Sequence, residues 1–600
     1  MARFGFTSGG TYQSESVNAD AQRCINLYPE PDESQQGRSS YALYQRPGLK
    51  VDNVLAGESS VPALFAQNGR MFAAGVFLWE RFSNGMVVKR GNLNPASAGP
   101  GTIFMTANQN QLLVSSNGNL YLMDLTTNIV TPVNMAQFNG PISQVAFCDS
   151  FFLAVQQNSQ TFYTSNPLDG TTWLAVNAEQ ISLITDNIVS MIVSHRDVWL
   201  QGNKSSIIYG NTGAALAPFA PIAGAFVEQG SVGLAGPVRA DNSIFWVGLD
   251  ERGALVAWRA NAYTPQRVSN HAVENAWAQY SVVSDLVSYS CQFNGHIFWV
   301  IYFQTVGATW VYDVATGMWH EWSYLDPIIG ATAHRSCCHA FAFNQHFVGD
   351  WDTGTIYQMS TAFNDDFGTP MQRLRRAPTV SKELEWMQHY QMELDCETGV
   401  GPIPPLAGNA PPTSIIMMSP NAQLWAVQVT GAGLLQTTPV ANGIAVTKTL
   451  NDNAAGLTTW QLGVNNAGNL TTTSITNIVG GQNLILMVAT DGTHQYYIEV
   501  TAAGLLQTVA NGTVTRDPQV YLRWSDDSGH TWSNLYARSL GAGGSFKTRV
   551  IWRRLGRSRE RVYEVSCTDP VPFRIVDAYL KAAPDFQASE RLVHAYRKQA

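Results

Sequence analysis

A strand–turn–strand unit recurs in shape, though not in letters, from residue 51 to about residue 366. That recurrence limits the fold more than any other feature of this 600-residue chain. Each unit holds a short apolar strand, a turn of Asn, Asp or Gly, a strongly apolar strand, a second turn, and a strand ending in Tyr or Trp. The first turns fall at Asn68-Gly69, Asn110, Asp149-Ser150, His195-Arg196, Asp241-Asn242, Asn294-Gly295 and Asn344-Gln345. They lie roughly 40 to 53 residues apart, near the four-strand period of propeller blades. The stretch 226–277 shows the grammar most plainly. Ser243–Leu249 is a run of aromatic and β-branched residues, 250–253 is a turn cluster, and 255–259 is the returning strand. The expectation is an all-β chain built on a β-propeller-like ring of six or seven blades, with a closing blade shared between the chain ends. Stacked β-sandwiches would satisfy the same repetition.

Domain boundaries follow from changes in this grammar. Residues 1–50 read as an extended N-terminal arm with one short strand, and 51–372 as the propeller. Residues 373–378 form a basic linker, Arg373-Leu374-Arg375-Arg376-Ala377-Pro378. A discontinuous, β-sandwich-like C-terminal or tip domain takes 373–400 and 515–584, with 381–396 read as a strand. Between its halves, 401–514 is an inserted β-hairpin-repeat module that enters through prolines 402, 404 and 405. Three stretches echo one another there, at 424–437, 459–472 and 496–508, with aligned Gly433, Gly468 and Gly504 in their turns. Residues 585–600 read as a short tail, possibly helical.

Charge narrows the function classes. Only 13% of residues are charged, against roughly 25% in ordinary soluble proteins, so the surface is polar yet poorly charged and suits permanent assembly. The net charge of −8 gives no global basic field to grip nucleic acid. No segment approaches ~20 uninterrupted apolar residues, so no membrane insertion by this chain is expected, and the start has no apolar leader. The seven cysteines are scattered without a C-x-x-C and read as reduced, small apolar residues.

Candidate chemistry is sparse. Ser525, Asp527, Gly529, Thr531 and Trp532 spell S-x-D-x-G-x-T-W, an Asp-box. In such a turn the aspartate accepts backbone N–H bonds, the glycine takes an unusual φ, and the tryptophan plugs the turn into the sheet. A looser copy runs from Ser165 through Asp169 and Gly170 to Trp173. Asp-boxes occur in sialidase propellers, which raises an alternative reading as a glycan-binding or glycan-cleaving propeller, but they are structural there. No arginine cluster with a Tyr–Glu pair has the needed spacing in 51–370. His334, Cys337, Cys338 and His339 are the only grouping that suggests a metal, and strand alternation separates them. No G-x-S-x-G elbow or phosphate loop is present. No catalytic residue, metal or cofactor is therefore expected. The basic run Lys547, Arg549, Arg553, Arg557, Arg559 and Arg561 reads as one face of a strand region, with Val550 and Trp552 opposite. It would meet solvent, an acidic neighbouring subunit, or DNA phosphates in a lumen. Of the functional readings the subunit interface is preferred, because tight phosphate grips would brake passing DNA.

Several of these segments together carry a family resemblance. Glu228-Gln229-Gly230, Tyr263, Pro265, Arg267-Val268-Ser269, His271-Ala272 and Glu274 follow in an order that resembles the packaged-DNA stabilisation, or tail nozzle (hub), proteins of short-tailed bacteriophages. The opening Cys24-Ile25-Asn26-Leu27-Tyr28-Pro29-Glu30 and the closing segment around 522–570 are similar in the same way. The resemblance spans roughly 15–380 and 515–582 and fails over the insertion. It implies a structural virion protein of the tail, synthesised and assembled in the bacterial host cytoplasm. The implied partners are five further copies in a homohexamer, a portal-adaptor (head-tail connector) ring, a tail fibre or tailspike, a tail needle or plug, and packaged double-stranded DNA in transient contact.

Overall fold

The computed structural model describes residues 2–34, 36–93, 99–181, 186–400 and 517–584, and between 401 and 516 nine strands. The described residues divide into two compact units: one of 1–397, 519–538 and 549–600, the other of 398–518 and 539–548.

In the first unit, five separate four-stranded antiparallel sheets cover 63–92, 103–132, 142–180, 190–227 and 238–267, called blades 1 to 5 here. Blade 6 covers 287–326. Blade 7 joins three strands of 336–360 to Gly48–Val54 from the other end of the chain, with Tyr357 opposite Val51. The six-or-seven ambiguity therefore closes at seven, and the closing blade is shared as expected.

The second strand of each blade explains the ring. Its side chains alternate between the two faces of the sheet, and each face packs on a different neighbour. Met71 meets blade 7 while Phe72 meets blade 2. Leu112 and Leu113 divide between blades 1 and 3, and Phe152 and Leu153 between blades 2 and 4. Val198 and Trp199 divide between blades 3 and 5, and Trp246 and Phe245 between blades 4 and 6. Trp299 and Phe298 split between blades 5 and 7, and Val348 and Phe347 between blades 6 and 1. A strand buried on both faces needs apolar residues at every position. Hence the continuous runs SIFWVGL and HIFWVIYF rather than alternating ones.

The hairpin turns leading into these strands use left-handed backbone. Asn68-Gly69, Asp149-Ser150, His195-Arg196, Asp241-Asn242 and Asn294-Gly295 each place two successive residues at positive φ, the geometry that matches strand twist in a two-residue hairpin. Blade 7 turns at Phe343-Asn344, one residue earlier than the sequence suggests. Blade 2 uses a wider turn, in which Asn108 Oδ1 accepts from the N–H groups of Asn110 (2.8 Å) and Gln111 (2.7 Å).

The N-terminal 50 residues are not an extended arm. Leu27–Pro31 and Tyr41–Gln45 form a hairpin that extends a seven-stranded sheet with Arg574–Pro584, Met387–Cys396 and Val550–Arg553. Ala21–Ile25 continues blade 6 into a second sheet with Arg373–Arg376, Glu560–Cys567 and Gln519–Ser525. The two sheets meet where His389 of the first bonds Tyr563 of the second (2.8 Å). The reading of 373–378 as a basic linker also fails, since Arg373–Arg376 is a strand in the middle of a sheet, with Arg373 and Arg375 fully buried. Arg375 donates to the carbonyls of Phe6 (2.8 Å), Gly10 (2.9 Å) and Ser8 (2.8 Å) and to Gln22 Oε1 (2.7 Å). A short strand of arginines gives no apolar period, so sequence pattern could not reveal it.

In the second unit each repeat is a three-stranded meander rather than a hairpin. The strands are Ile415–Met418, Leu424–Val429 and Leu435–Val440, then Lys448–Asn451, Thr459–Val464 and Leu470–Ile475, then Ile485–Val488, His494–Val500 and Leu506–Thr513. Each sheet touches both others. The glycines 433, 468 and 504 and the tail 585–600 lie outside the described residues.

Candidate functional site

The organising stretch 226–277 is where strand grammar gives way to a helix. His271–Ala278 is helical, capped by the Asn270 side chain accepting from the Val273 N–H at 3.0 Å. Glu274 accepts from the Arg267 guanidinium on both carboxylate oxygens and from Ser269 Oγ at 2.5 Å. Ser269 Oγ in turn accepts the Ala257 N–H at 3.0 Å. The helix inserts Trp277, fully buried, among Phe303, Trp310 and Trp319. The Arg267, Ser269 and Glu274 of the motif are thus a brace that seats a tryptophan. Gly230 of the same stretch lies against blade 4, where an added Cβ would sit 2.1 Å from the Gly202 carbonyl oxygen.

The Asp-box residues converge on one turn. Asp527 accepts from the Thr531 N–H (2.8 Å), Thr531 Oγ1 (2.6 Å) and Ser525 Oγ (2.6 Å). These bonds hold its carboxyl well below the usual carboxylate range. Gly529 takes φ +105° and accepts at its carbonyl from Trp532 Nε1 (3.1 Å). The looser copy repeats the last contact, with Trp173 Nε1 donating to the Gly170 carbonyl at 3.0 Å. Further bonds tie each turn to its surroundings, Asp526 accepting from Arg561 and the Gly170 N–H donating to Gln111 Oε1.

The basic run does not form one face. Arg554 and Gly556 take φ +60° and +78°, which interrupts the strand between Val550–Arg553 and Arg557–Ser558 and breaks the alternation the expectation relied on. Arg561 is 1% exposed and binds Asp526 through two bonds of 2.5 and 2.8 Å, so it leaves the proposed surface. Arg549 is exposed and paired with Glu393 (2.7 Å). Arg557 and Arg559 lie over the Trp386 ring at 5.3 and 5.2 Å. Arg553 is exposed, with Val550 and Trp552 buried beside it. Lys547 is exposed and belongs to the other unit. What remains is an interrupted strand along Met387–Cys396 that carries Arg553, Arg554, Arg557 and Arg559, with the neighbouring Trp386 ring beneath two of the guanidiniums.

Within the ring, the inner strands of blades 1, 2, 5, 6 and 7 line a cavity of about 570 Å³. Among the described residues, Arg239 is the only one of its lining that is Asp, Glu, Lys or Arg. His339 lines it too, but burial and the neighbouring His346 push its pKa down to about 3, so it is neutral. Burial also raises the Cys337 thiol and the Tyr289 phenol well above their ordinary values. A glycosidase needs two carboxylates flanking its substrate, and this cavity offers none. Among the described residues no group of three or more His, Cys, Asp or Glu is placed to hold a metal ion.

A family model described as bacteriophage P22 Gp10, beta-propeller, matches residues 5–364. A second, bacteriophage P22 Gp10, beta-sandwich, matches residues 499–583. No curated protein matches. Among solved structures, the extracellular domain of a putative one component system from B. thetaiotaomicron is 9% identical and covers 88% of this chain and 83% of its own, at a TM-score of 0.37. Virginiamycin B lyase from Staphylococcus aureus is 7% identical and covers 52% of this chain and 99% of its own, at 0.35. A computationally designed protein, Ika8, is 13% identical and covers 57% of this chain and 100% of its own, at 0.31. Scores of this size decide nothing about the chain.

Proposed function

The chain belongs to the bacteriophage P22 Gp10 stabilisation family, and from that premise we propose that it is the tail nozzle of a short-tailed phage and works without catalysis. In this reading six copies form a ring below the portal and its adaptor, extend the DNA channel, help retain the packaged genome, and offer sockets for fibres or spikes and for a needle or plug. The observation that carries it is the order of the two family matches along the chain, propeller first over 5–364 and sandwich second over 499–583.

The physical properties of the chain support the reading. A surface with 13% charged residues is suited to permanent contact, and ring closure gives head-to-tail interfaces that terminate. Repetition makes weak contacts add, since each tethered neighbour acts at high effective concentration. The exposed Arg553, Arg554 and Arg559 suit an acidic neighbouring subunit, because a guanidinium pairs well with a carboxylate.

The test is assembly with the cognate portal–adaptor complex, followed by native mass spectrometry and by genome retention in particles made without the protein. The reading expects six copies bound per adaptor ring and particles that lose their DNA when the protein is missing. Infectious, DNA-filled particles lacking the protein would overturn it.

A further inference from the structure

A second cavity, of about 270 Å³, opens between the hairpin tips of blades 4 and 5. It is separate from the Trp277 cluster, the arginines around Trp386 and the Asp-boxes. Its lining includes Ser194, His195, Asp197 and Trp199 from blade 4 and Asn242 and Tyr263 from blade 5.

A chain of hydrogen bonds fixes its polar groups. His195 Nε2 lies 2.7 Å from Asn242 Oδ1. An amide oxygen only accepts, so Nε2 carries the proton and Nδ1 accepts from Ser194 Oγ at 3.0 Å. Across the cleft Tyr263 Oη donates to Asp197 Oδ2 at 2.8 Å. The Trp199 and Tyr263 rings stand 6.1 Å apart. Two groups are left over, with no partner among the described residues: the Asn242 amide N–H pair, a donor, and Asp197 Oδ1, an acceptor.

We infer that this cleft binds one neutral sugar ring. A pyranose presents an apolar face and neighbouring hydroxyls that both donate and accept. The half-buried Tyr263 ring supplies the apolar wall, and the unspent Asn242 donor and Asp197 acceptor supply the hydroxyl partners. The volume lies just below the usual range for small-molecule pockets, roughly 300 Å³ upward, and suits a single ring. An acidic ligand is opposed by the Asp197 carboxylate. A quaternary ammonium needs a cage of exposed aromatic faces, whereas Trp199 is only 3% exposed.

The experiment is ligand-observed NMR on the full chain with methyl α-D-glucopyranoside, methyl β-D-galactopyranoside and N-acetylglucosamine, beside glucuronate and tetramethylammonium. Millimolar binding of at least one neutral sugar is expected, weakened about tenfold or more by Asn242→Ala and by Asp197→Asn. Tyr263→Phe, which keeps the ring, should retain most of the binding and shows whether the cleft survives substitution. The inference falls if no neutral sugar binds at about 50 mM, if glucuronate or tetramethylammonium binds as well as the sugars, or if the Asn242 and Asp197 variants bind unchanged.

Discussion

Arg375 shows what a single residue contributes here. Its guanidinium is fully buried and its bonds go to three carbonyls and one amide oxygen rather than to a carboxylate. Burial lowers its pKa, yet the four acceptors hold it and tie residues 6–10 to the centre of a sheet. Removing it strands those carbonyls, and buried polar groups without partners are costly. Arg375→Ala should lose about 3 kcal/mol or more in urea denaturation and make residues 5–10 sensitive to protease. The exposed Arg554→Ala should change stability by about 0.5 kcal/mol or less. The role was not legible in the sequence, because its partners lie more than 350 positions away and are mostly main-chain atoms that leave no signature. The Asp-box differs. Its partners fall within four residues, so its spacing alone announces the turn.

The same contrast holds among the elements. The blades were legible because a second strand buried on both faces must be apolar throughout, and because paired left-handed turns favour Asn, Asp or Gly, one of which stands in every such turn but His195-Arg196. The helix at His271–Ala278 was missed although its signals are present: Asn270 caps it, and Ala272, Val273, Ala276 and Trp277 fall on one helical stripe. Strand-like neighbours on either side masked that period. The arm was misread because its strands are short and mixed in polarity, and their meaning lies in the sheets they join. The joint between blades 4 and 5 also depends on a residue without a side chain. Gly230→Ala forces a methyl group against the Gly202 carbonyl, so a loss of about 1–3 kcal/mol is expected. Gly253→Ala, at a turn with open space around it and φ +84°, should cost about 1 kcal/mol. Thermal denaturation of the two variants side by side checks the ranking.

At the scale of the whole molecule, buried histidines set the pH range. Burial lowers His320 to about 4, His339 to about 3 and His389 to about 4, and it lowers His334 and His346 as well. The unfolded chain takes up those protons first, so stability falls as pH drops below about 6.5 and continues to fall towards each folded value. His296 acts oppositely. Glu30 and Asp313 outweigh its desolvation and raise its pKa, so its contribution is present at low pH and fades as pH rises through that raised value. These five histidines outnumber His296 and the Glu179 and Asp365 carboxyls, which burial raises and which therefore also favour the fold as pH drops, so a melting temperature that falls from pH 7 to pH 4.5 is expected, readable by scanning calorimetry, with a smaller fall in His389→Gln. The central claim, that the chain is a wall and socket of a virion tail, is tested most directly by cryo-electron microscopy of intact particles. Six copies around the channel below the portal are expected, with the seven-bladed rings as part of a continuous collar. Density for the chain elsewhere in the particle, or in a number other than six, would contradict the account.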